Sequence, residues 1–385
     1  MTGLSQLPDD LESLRKTVRE FVDKEVDPAW GTIEETDQIP ESLRKKAQEV
    51  GLFGLTIPER YGGLGLNTLG KAVMEEELGR SSYGFATLIG NHTGISSTGI
   101  VEMGNDEQRS RYLPRMARGE IIGSFALSEP EAGSDAAALR TTAKRVEGGW
   151  LLNGEKIFVT NAQEASVFTV MAVTKAGSGE RQITAFLVDR DTKGLSVGPN
   201  EHKMGMRGGH TCPVAFVDCL VPDRQILGEP GKGLRSAFRI LTKGRATLSG
   251  RCVGMMSRAL ELSLGHARTR IQFGHPIGDN QGIQWMLADM DVALTTSRLL
   301  THTTARLLDT GARAEREAAE TKLFVTEALQ GVVDKAVQIH GGMGYMRDYP
   351  IERLYRDARI TRIYEGTSEI QRNIIARSLL RDGLG

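Results

Sequence analysis

A glutamate next to a glycine near the C-terminus has the sequence context of a catalytic base. Glu365 precedes Gly366, and glycine allows backbone conformations that other residues rarely adopt. Ser368 and Gln371 then have the spacing of a capping box, which predicts that a helix begins directly after the turn. A carboxylate held on such a turn would be rigidly aimed. A glutamate just before a helix can also simply complement the helix dipole, so this segment alone leaves both interpretations open.

A second segment has the features of a cofactor-binding loop. The run 121–127 is rich in apolar residues and predicts a strand, which opens into a loop containing Pro130 and Gly133. Such a loop leaves backbone N–H groups unpaired, and the hydroxyls of Ser128 and Ser134 add further donors. These donors could bind the polar edge of a cofactor. An ordinary β-turn loop is the alternative interpretation.

The elements that must position these groups follow in the order α, β, α. The predicted helices cover residues 11–26, 40–51, 68–78, 106–116, 234–269, 281–310, 314–340 and 368–380, and the predicted strands cover 121–127, 150–152, 156–160, 167–173, 183–188 and 214–221. Asn153-Gly154 lies between two of these strands and predicts a hairpin turn. The four long C-terminal segments are periodic and free of proline, which favours a four-helix bundle. We therefore predict an α-helical domain over 1–120, a β-sheet domain over 121–228 and a helical bundle over 229–385.

Length and charge restrict what this α+β multidomain chain can bind. With 385 residues it can form two or three domains. Its formal net charge of -1 provides no basic field for nucleic acid or an anionic membrane, so we expect a small-molecule ligand. Residues 1–10 show no targeting pattern, and no stretch approaches the roughly 20 apolar residues of a membrane span. We therefore expect no membrane insertion.

The cysteines indicate a reducing compartment. Cys212, Cys219 and Cys252 are odd in number and lack the spacing of a metal site. They fit buried thiols better than a disulfide framework, so we expect a cytoplasmic protein without a metal. No segment has the glycine fingerprint of a dinucleotide fold or the spacing of a P-loop, and any nucleotide must bind in another way.

Three separated segments carry a more specific signal. They read FALSEPEAGSD at 125–135, RIQFGHPI at 270–277, and QIHGGMGY at 338–345 followed by YEGT at 364–367. Together they closely resemble the acyl-CoA dehydrogenase family, and the resemblance extends from about residue 11 to residue 380. It implies the acyl-CoA dehydrogenase fold, FAD as cofactor and an acyl-CoA substrate. It also implies an electron-transferring flavoprotein as partner and a homotetramer built as a dimer of dimers.

The resemblance also implies which residues contact FAD. They are Phe125, Leu127, Ser128, Gly133, Ser134, Phe158, Thr160, Arg270, Gln272, Phe273, Gln281, Gln338, Gly341, Gly342, Thr367 and Glu369. Relatives usually have threonine in place of Ser128 and often tryptophan in place of Phe158; we expect hydroxyl chemistry and ring stacking to persist, the latter over less area. The guanidinium of Arg270 suits a diphosphate. In relatives, the contacts corresponding to Arg270, Gln281 and 338–342 come from a neighbouring subunit.

For the reaction, the resemblance implies α,β-dehydrogenation of an acyl-CoA. Glu365 would remove the α-proton while a hydride passes from the β-carbon to the flavin, leaving a trans-2-enoyl thioester. Burial should raise the pKa of Glu365 and strengthen the base. Arg245, Ser134, Tyr364 and Gly366 match residues near the base or the substrate. Some branches of the family place the base on the helix containing Gly244, which offers no carboxylate here.

The acyl group is less clearly indicated. Residues 81–108 contain no lysine or arginine, whereas relatives that accept dicarboxyl-CoA esters have a cation in this segment, so we expect no terminal carboxylate. Gly90 and Gly94 remove side-chain volume there and favour medium or long acyl chains. Asn91 or His92 could alternatively contact a functionalised acyl tail, although a lone histidine is more often structural.

Three other functions remain open on this fold. One is an acyl-CoA oxidase, which gives its electrons to oxygen, and another is a dehydrogenase that acts on acyl-carrier-protein thioesters. The third is a non-catalytic member, against which the presence of Glu365 and of the flavin-binding segments argues.

Overall fold

In the computed structural model, which describes residues 7–383, a helical N-terminal part and a helical C-terminal part flank a β-sheet. The N-terminal helices are α1 (Asp9–Phe21), α2 (Asp27–Thr36), α3 (Glu41–Glu49), α4 (Thr68–Leu78), α5 (Tyr83–Asn91), α6 (Ser97–Met103) and α7 (Asp106–Ala117). The C-terminal helices are α8 (Gly233–Thr269), α9 (Gln281–Asp309), α10 (Glu315–His340), α11 (Ile351–Ala358) and α12 (Ser368–Asp382). The predicted α, β, α order is confirmed. Residues 1–6, which belong to the segment without a targeting pattern, lie outside this description.

The middle part is one mixed sheet that carries the loop of residues 127–135. Its strands are β1 (Ile122–Ala126), β2 (Thr142–Val146), β3 (Gly149–Thr160), β4 (Ala165–Lys175), β5 (Arg181–Asp189), β6 (Leu195–Val197), β7 (Thr211–Val221) and β8 (Ile226–Leu227). The spatial order is β6-β7-β3-β2-β4-β5-β8, and β1 pairs in parallel with β4. Ser124 donates a hydrogen bond to the carbonyl of Thr160 over 2.6 Å, and the N–H of Ile157 donates to the carbonyl of Ser128 over 2.9 Å. These bonds hold the loop after β1 against the end of β3.

The predicted hairpin at Asn153-Gly154 is wrong. Both residues lie inside β3, and the turn that joins β2 to β3 falls earlier, because Val146 pairs directly with Gly149. Gly154 has a φ of 147°, and a Cβ on it would lie 2.6 Å from the hydroxyl of Thr141. The glycine therefore allows a register shift between β3 and β7.

Glycines bring α4 and α8 into backbone contact. A Cβ on Gly250 would overlap the carbonyl oxygen of Ala72, and a Cβ on Gly254 would overlap that of Glu76. Without side chains at these positions the two helices approach more closely than ordinary side chains allow. Charged side chains of α4 therefore lie directly beside those of α8.

Apolar side chains of the N-terminal helices form one buried core, and those of α8 to α11 form another. Two further clusters cover the faces of the sheet. Cys212, Cys219 and Cys252 are buried and form no disulfide. Within residues 7–383, no helix has the length and apolar character needed to cross a membrane.

Candidate active site

Glu365 lies on a strained turn that is held by its neighbours. It has a φ of 53°, which is uncommon for a residue with a side chain, and Gly366 follows with a φ of 90°. Gln371 donates hydrogen bonds to the carbonyls of Glu365 and Gly366 over 3.2 and 2.7 Å. Lys322 of α10 donates to the same Gly366 carbonyl over 2.8 Å. These contacts fix the direction of the Glu365 side chain.

The capping box predicted at Ser368 and Gln371 is wrong by one residue. Thr367 is the N-cap of α12, and its hydroxyl accepts a hydrogen bond from the N–H of Ile370. Ser368 donates instead to the carboxylate of Glu327 over 2.7 Å. Gln371 cannot complete the box because its amide group binds the Glu365 turn. The helix predicted here, and its start directly after Gly366, are nevertheless observed.

One cavity brings together the predicted residues of the base, the substrate contacts and part of the flavin contacts. It is lined by Phe125, Leu127, Ser128, Gly133, Ser134, Phe158, Thr160, Arg245, Tyr364, Glu365 and Gly366, among others. Phe158 is 63% exposed and has a φ of 54°. An open aromatic ring next to the hydroxyls of Ser128 and Thr160 fits the flat, polar-edged ring of a flavin.

The surroundings of the Glu365 carboxylate change its affinity for protons. Its Oε2 atom is buried and has no hydrogen-bond partner among the described residues. Burial raises the pKa of Glu365, and the positive charges of Arg251, Lys322, Arg245 and Lys71 oppose this rise. A Cβ on Gly244 would lie 2.8 Å from Oε2, so the glycine leaves room for the carboxylate.

Arg245 and Tyr364 line the same cavity as Glu365. Arg245 is buried, its Nε has no partner among residues 7–383, and burial lowers its pKa while Glu365 raises it. The hydroxyl of Tyr364 is hydrogen-bonded to that of Tyr83. Arg245 thus offers a free donor close to the Glu365 carboxylate.

The remaining predicted flavin contacts do not reach this cavity. Those on the surface at the opposite end of α8 are Arg270, Gln272, Phe273, Gln281, Gln338, Gly341 and Gly342. A stack of His266 on His340, with ring centroids 4.4 Å apart, joins the ends of α8 and α10 there. About 36 Å of helix separates Arg245 from Thr269, which precedes Arg270. Thr367 and Glu369 lie at the start of α12, near the Glu365 turn.

Charged residues that the sequence pattern did not reveal also line the cavity. Lys71 and Glu75 of α4 and Arg251 of α8 are buried there. These cations come from α4 and α8 and not from residues 81–108, the segment on which the expectation of no terminal carboxylate was based. The available signal was an i,i+4 pair of charges, Lys71 and Glu75, within a helix whose residues are all buried.

The two glycines predicted to deepen the pocket leave room for these cations. A Cβ on Gly90 would overlap Nη2 of Arg251, and a Cβ on Gly94 would lie 2.6 Å from Nζ of Lys71. The volume that we expected a longer acyl chain to use is therefore occupied by charged side chains. This geometry contradicts the basis on which medium or long chains were expected.

The polar neighbours of these glycines have structural roles. His92 is fully buried; Gly123 donates its N–H to Nδ1, and Nε2 donates to the carbonyl of Met116 over 3.0 Å. Burial lowers the pKa of His92 to about 4. The amide oxygen of Asn91 accepts a hydrogen bond from Ser96 over 3.0 Å. The structural interpretation of His92 therefore applies.

Comparison with known proteins decides the family. Three family models match in succession: acyl-CoA dehydrogenase N-terminal domain over residues 8–120, middle domain over 124–219 and C-terminal domain over 231–380. The chain belongs to the acyl-CoA dehydrogenase family. It is an FAD-dependent oxidoreductase that acts on CH–CH bonds, and the cavity residues fit the flavin for the reasons given above.

Individual members of the acyl-CoA dehydrogenase family are similar to this chain over nearly its whole length. An acyl-CoA dehydrogenase of Bacillus subtilis (strain 168) is 42% identical over 367 residues, which are 95% of this chain and 97% of the relative. An acyl-CoA dehydrogenase of Bacillus anthracis complexed with FAD has a TM-score of 0.92 at 39% identity, covering 98% of this chain and 68% of that one. A chain from a structure described as the electron transferring flavoprotein of Acidaminococcus fermentans has a TM-score of 0.95 at 36% identity, covering 98% and 99%.

Proposed function

We propose that this acyl-CoA dehydrogenase converts an acyl-CoA thioester to a trans-2-enoyl-CoA, with Glu365 as the base that removes the α-proton. The observation that carries the proposal is the buried Glu365 carboxylate, whose Oε2 has no partner in the described chain and which faces the cavity where the predicted flavin contacts meet. When bound, FAD supplies the hydride acceptor.

The chain's own residues make Glu365 a stronger base than an exposed glutamate. Burial raises its pKa, which brings its proton affinity closer to that of a weak carbon acid. The charges of Lys322 and Arg245 keep a fraction of the group ionised and ready to accept the proton. An apolar part of the acyl group would exclude water and strengthen both effects. We assign the backbone N–H of Glu365 to the thioester oxygen, where negative charge develops.

Substrate contacts follow from the same cavity. We assign Ser134, Arg245, Tyr364 and Gly366 to the substrate, since all four line the cavity with Glu365. Arg245 has an unpartnered Nε and is the strongest of these candidates for positioning the thioester.

We infer that each FAD is held by two copies of the chain, within a homotetramer. Ser128 and Phe158 line the cavity with Arg245, whereas Arg270 and Gln338 lie at the other end of α8. About 36 Å of helix separates Arg245 from that end, which is too far for one dinucleotide to contact both groups in the same chain. Phe273, in the second group, is 96% exposed, as expected for a residue that meets a partner. A second copy that brings its Arg270 group to the first copy's cavity would complete the site.

We propose an electron-transferring flavoprotein as the acceptor of the electrons. The structural likeness to a chain described with the electron transferring flavoprotein of Acidaminococcus fermentans supports this choice. An oxidase would instead produce hydrogen peroxide stoichiometrically in air. A dehydrogenase with product bound should react slowly with oxygen and rapidly with the flavoprotein.

The test is anaerobic addition of acyl-CoA esters to the purified holoprotein while the flavin absorption is recorded. The wild-type protein should be bleached by at least one ester. Glu365→Gln should bind that ester but reduce flavin at least about 1,000-fold more slowly. The matched control Glu147→Gln removes an exposed carboxylate on the β2–β3 turn and should leave the rate unchanged.

Three outcomes would count against the proposal. Near-wild-type reduction by Glu365→Gln would exclude this residue as the base. If no CoA ester bleaches the flavin but the same acyl group on acyl-carrier protein does, the carrier assignment is wrong. Purification without flavin would favour a non-catalytic role.

A further inference from the structure

The inner end of the cavity is built from buried charges. Lys71 is 4% exposed, Glu75 1% and Arg251 6%, and all three line the same cavity as Glu365. Charged side chains are rarely buried to this degree unless they are paired or bind a ligand. An acyl pocket for a plain hydrocarbon chain requires none of them.

Glu75 and Arg251 satisfy each other. Nε and Nη2 of Arg251 lie 2.8 and 2.7 Å from one oxygen of Glu75, and Nη1 donates to the hydroxyl of Thr87 over 3.2 Å. The guanidinium also lies over the ring of Tyr83. This pair accounts for one positive and one negative charge.

Lys71 is left incompletely paired. An ammonium group has three donors, and within residues 7–383 Nζ makes one hydrogen bond, to the carbonyl of Gly90 over 3.0 Å. The nearest Glu75 oxygen is 3.8 Å away, beyond hydrogen-bond distance. Two donors of a buried cation are therefore available to a molecule in the cavity.

The balance of charge points the same way. The charged residues that line the cavity are three cations, Lys71, Arg245 and Arg251, and two carboxylates, Glu75 and Glu365. Lys322 adds another positive charge behind the Glu365 turn. A cavity with an unbalanced cation favours an anionic ligand group, because the attraction between the two charges offsets the free energy lost when the cation is buried.

The backbone is shaped to admit these side chains. Residues His92–Ser96 form a π-helical turn, inside which Gly94 has a non-helical conformation (φ −97°, ψ −111°). Such turns often occur at functional sites. Because Gly90 and Gly94 have no side chains, they leave the space that Arg251 and Lys71 occupy. The arrangement therefore combines a backbone irregularity, two absent side chains and two buried cations.

The direction of the substrate follows from burial. CoA is large and highly charged, so it must stay at the open end of the cavity, where Phe238 is 45% exposed. The acyl tail then extends past Glu365 to the buried end, where Lys71 lies. The group at the far end of the acyl chain is the part of the substrate that meets Lys71.

Resting on the proposed function, we propose that the substrate is the CoA monothioester of a dicarboxylic acid, whose free carboxylate is bound by Lys71 beside Arg251 and Thr87. This reverses the expectation drawn from residues 81–108. It also assigns Lys71 as the residue that determines substrate specificity.

The experiment compares matched esters on the wild-type holoprotein. Succinyl-, glutaryl-, adipoyl- and suberyl-CoA are each paired with the straight-chain acyl-CoA of equal carbon number and with the methyl ester of the same dicarboxyl-CoA. Anaerobic titration of the flavin spectrum gives a Kd and a reduction rate for each. At least one free acid should bind about ten-fold or more tightly than both of its partners, as expected for a charge-assisted hydrogen bond.

A variant then tests the assigned residue. Lys71→Met keeps the length of the side chain and removes its charge, so the preferred acid should lose at least about ten-fold in affinity while its uncharged partner binds unchanged or better. Lys46→Met, on the surface of α3 where Lys46 pairs with Glu25, is the matched control and should change neither. The wild-type comparison is decisive even if Lys71→Met does not fold.

The failures of the two proposals are distinguishable. If uncharged esters reduce the flavin as well as the acids or better, the dicarboxylate assignment is wrong and the proposed function stands. Equal binding of a free acid and its methyl ester would also overturn the assignment, in favour of a neutral oxygen. If no ester of any pair reduces the flavin, the proposed function fails and this inference fails with it.

Discussion

At the scale of single residues, Glu365 combines two unfavourable features in one place. Its backbone is in a left-handed conformation, and one oxygen of its carboxylate is buried without a partner. Each feature lowers stability, and such costs gather where function requires them. The charges that surround the carboxylate set how basic it can be, which makes them testable one at a time.

Lys322→Gln should move the acid limb of the pH–rate profile to higher pH. Glutamine keeps a donor for the Gly366 carbonyl but removes a charge that lowers the pKa of Glu365. The ionised base exists only above the pKa of Glu365, so the limb should shift upward by roughly one unit. Burial lowers the pKa of Lys322 to about 8, so its charge is present below that pH. The measurement is the single-turnover rate of flavin reduction at saturating substrate across the pH range.

Lys335→Gln is the matched control for this prediction. Lys335 lies on the same helix, α10, and its carboxylate neighbour is Asp289, 3.9 Å away. Its loss should leave the profile unchanged. An unshifted limb in Lys322→Gln would mean that this charge does not act on the base.

The sequence predicts the site residues unevenly. Glu365 and the loop of Ser128 and Ser134 lie in contiguous motifs whose local chemistry is visible in the residues themselves. Lys71 and Arg251 are 180 positions apart and meet because two helices cross at glycines. A lysine or arginine in a helix is normally assigned to its solvated face, so their burial in the cavity was not predictable from local pattern.

At the scale of elements, the contact between α4 and α8 positions the inner end of the cavity. Gly254→Ala should destabilise the protein by roughly 1–3 kcal/mol, because its Cβ would overlap the carbonyl oxygen of Glu76 and force the helices apart. Gly265→Ala, on the same helix α8, has no neighbour within 4 Å of the added Cβ. It should stabilise the protein by about 0.5–1 kcal/mol through its better helix propensity.

Thermal unfolding of the two FAD-saturated holoproteins measures this difference. The midpoint of Gly254→Ala should fall by a few degrees, and that of Gly265→Ala should rise slightly. Equal midpoints would show that the crossing tolerates a wider spacing than its geometry indicates.

Long periodic helices were predicted well, and several short helices were not. The bounds of α8 to α10 and α12 differ from the predicted helices by a few residues at most, since their stripes are long and periodic. Helices α2, α5, α6 and α11 were missed, because none is longer than ten residues and a short segment shows little periodicity. The turn predicted at Asn153-Gly154 was wrong because the same dipeptide can form a β-bulge inside a strand that continues to pair on both sides of it.

At the scale of the whole molecule, the predicted flavin contacts form two groups at opposite ends of α8. Phe273→Asp should weaken self-association and lower the FAD content of the purified protein, because it places a charge on a residue that is 96% exposed within the second group. Aspartate tolerates the positive φ at this position. Analytical ultracentrifugation and the flavin-to-protein absorbance ratio give the two readouts.

Leu64→Asp provides the control, since it places the same charge on a half-exposed apolar residue of the N-terminal part. It should alter neither assembly nor flavin content. If the Phe273→Asp protein remains assembled and keeps its full flavin content, this end of α8 does not contribute to the cofactor site.

The distance along α8 also has a genetic meaning. If one functional centre draws its base from one polypeptide and its Arg270 from another, two defective alleles can rescue each other. A chain with Glu365→Gln still lends an intact Arg270, and a chain with Arg270→Ala still contributes an intact Glu365. Co-expression of these two inactive alleles would restore one working centre in each mixed pair, although neither allele alone supports turnover.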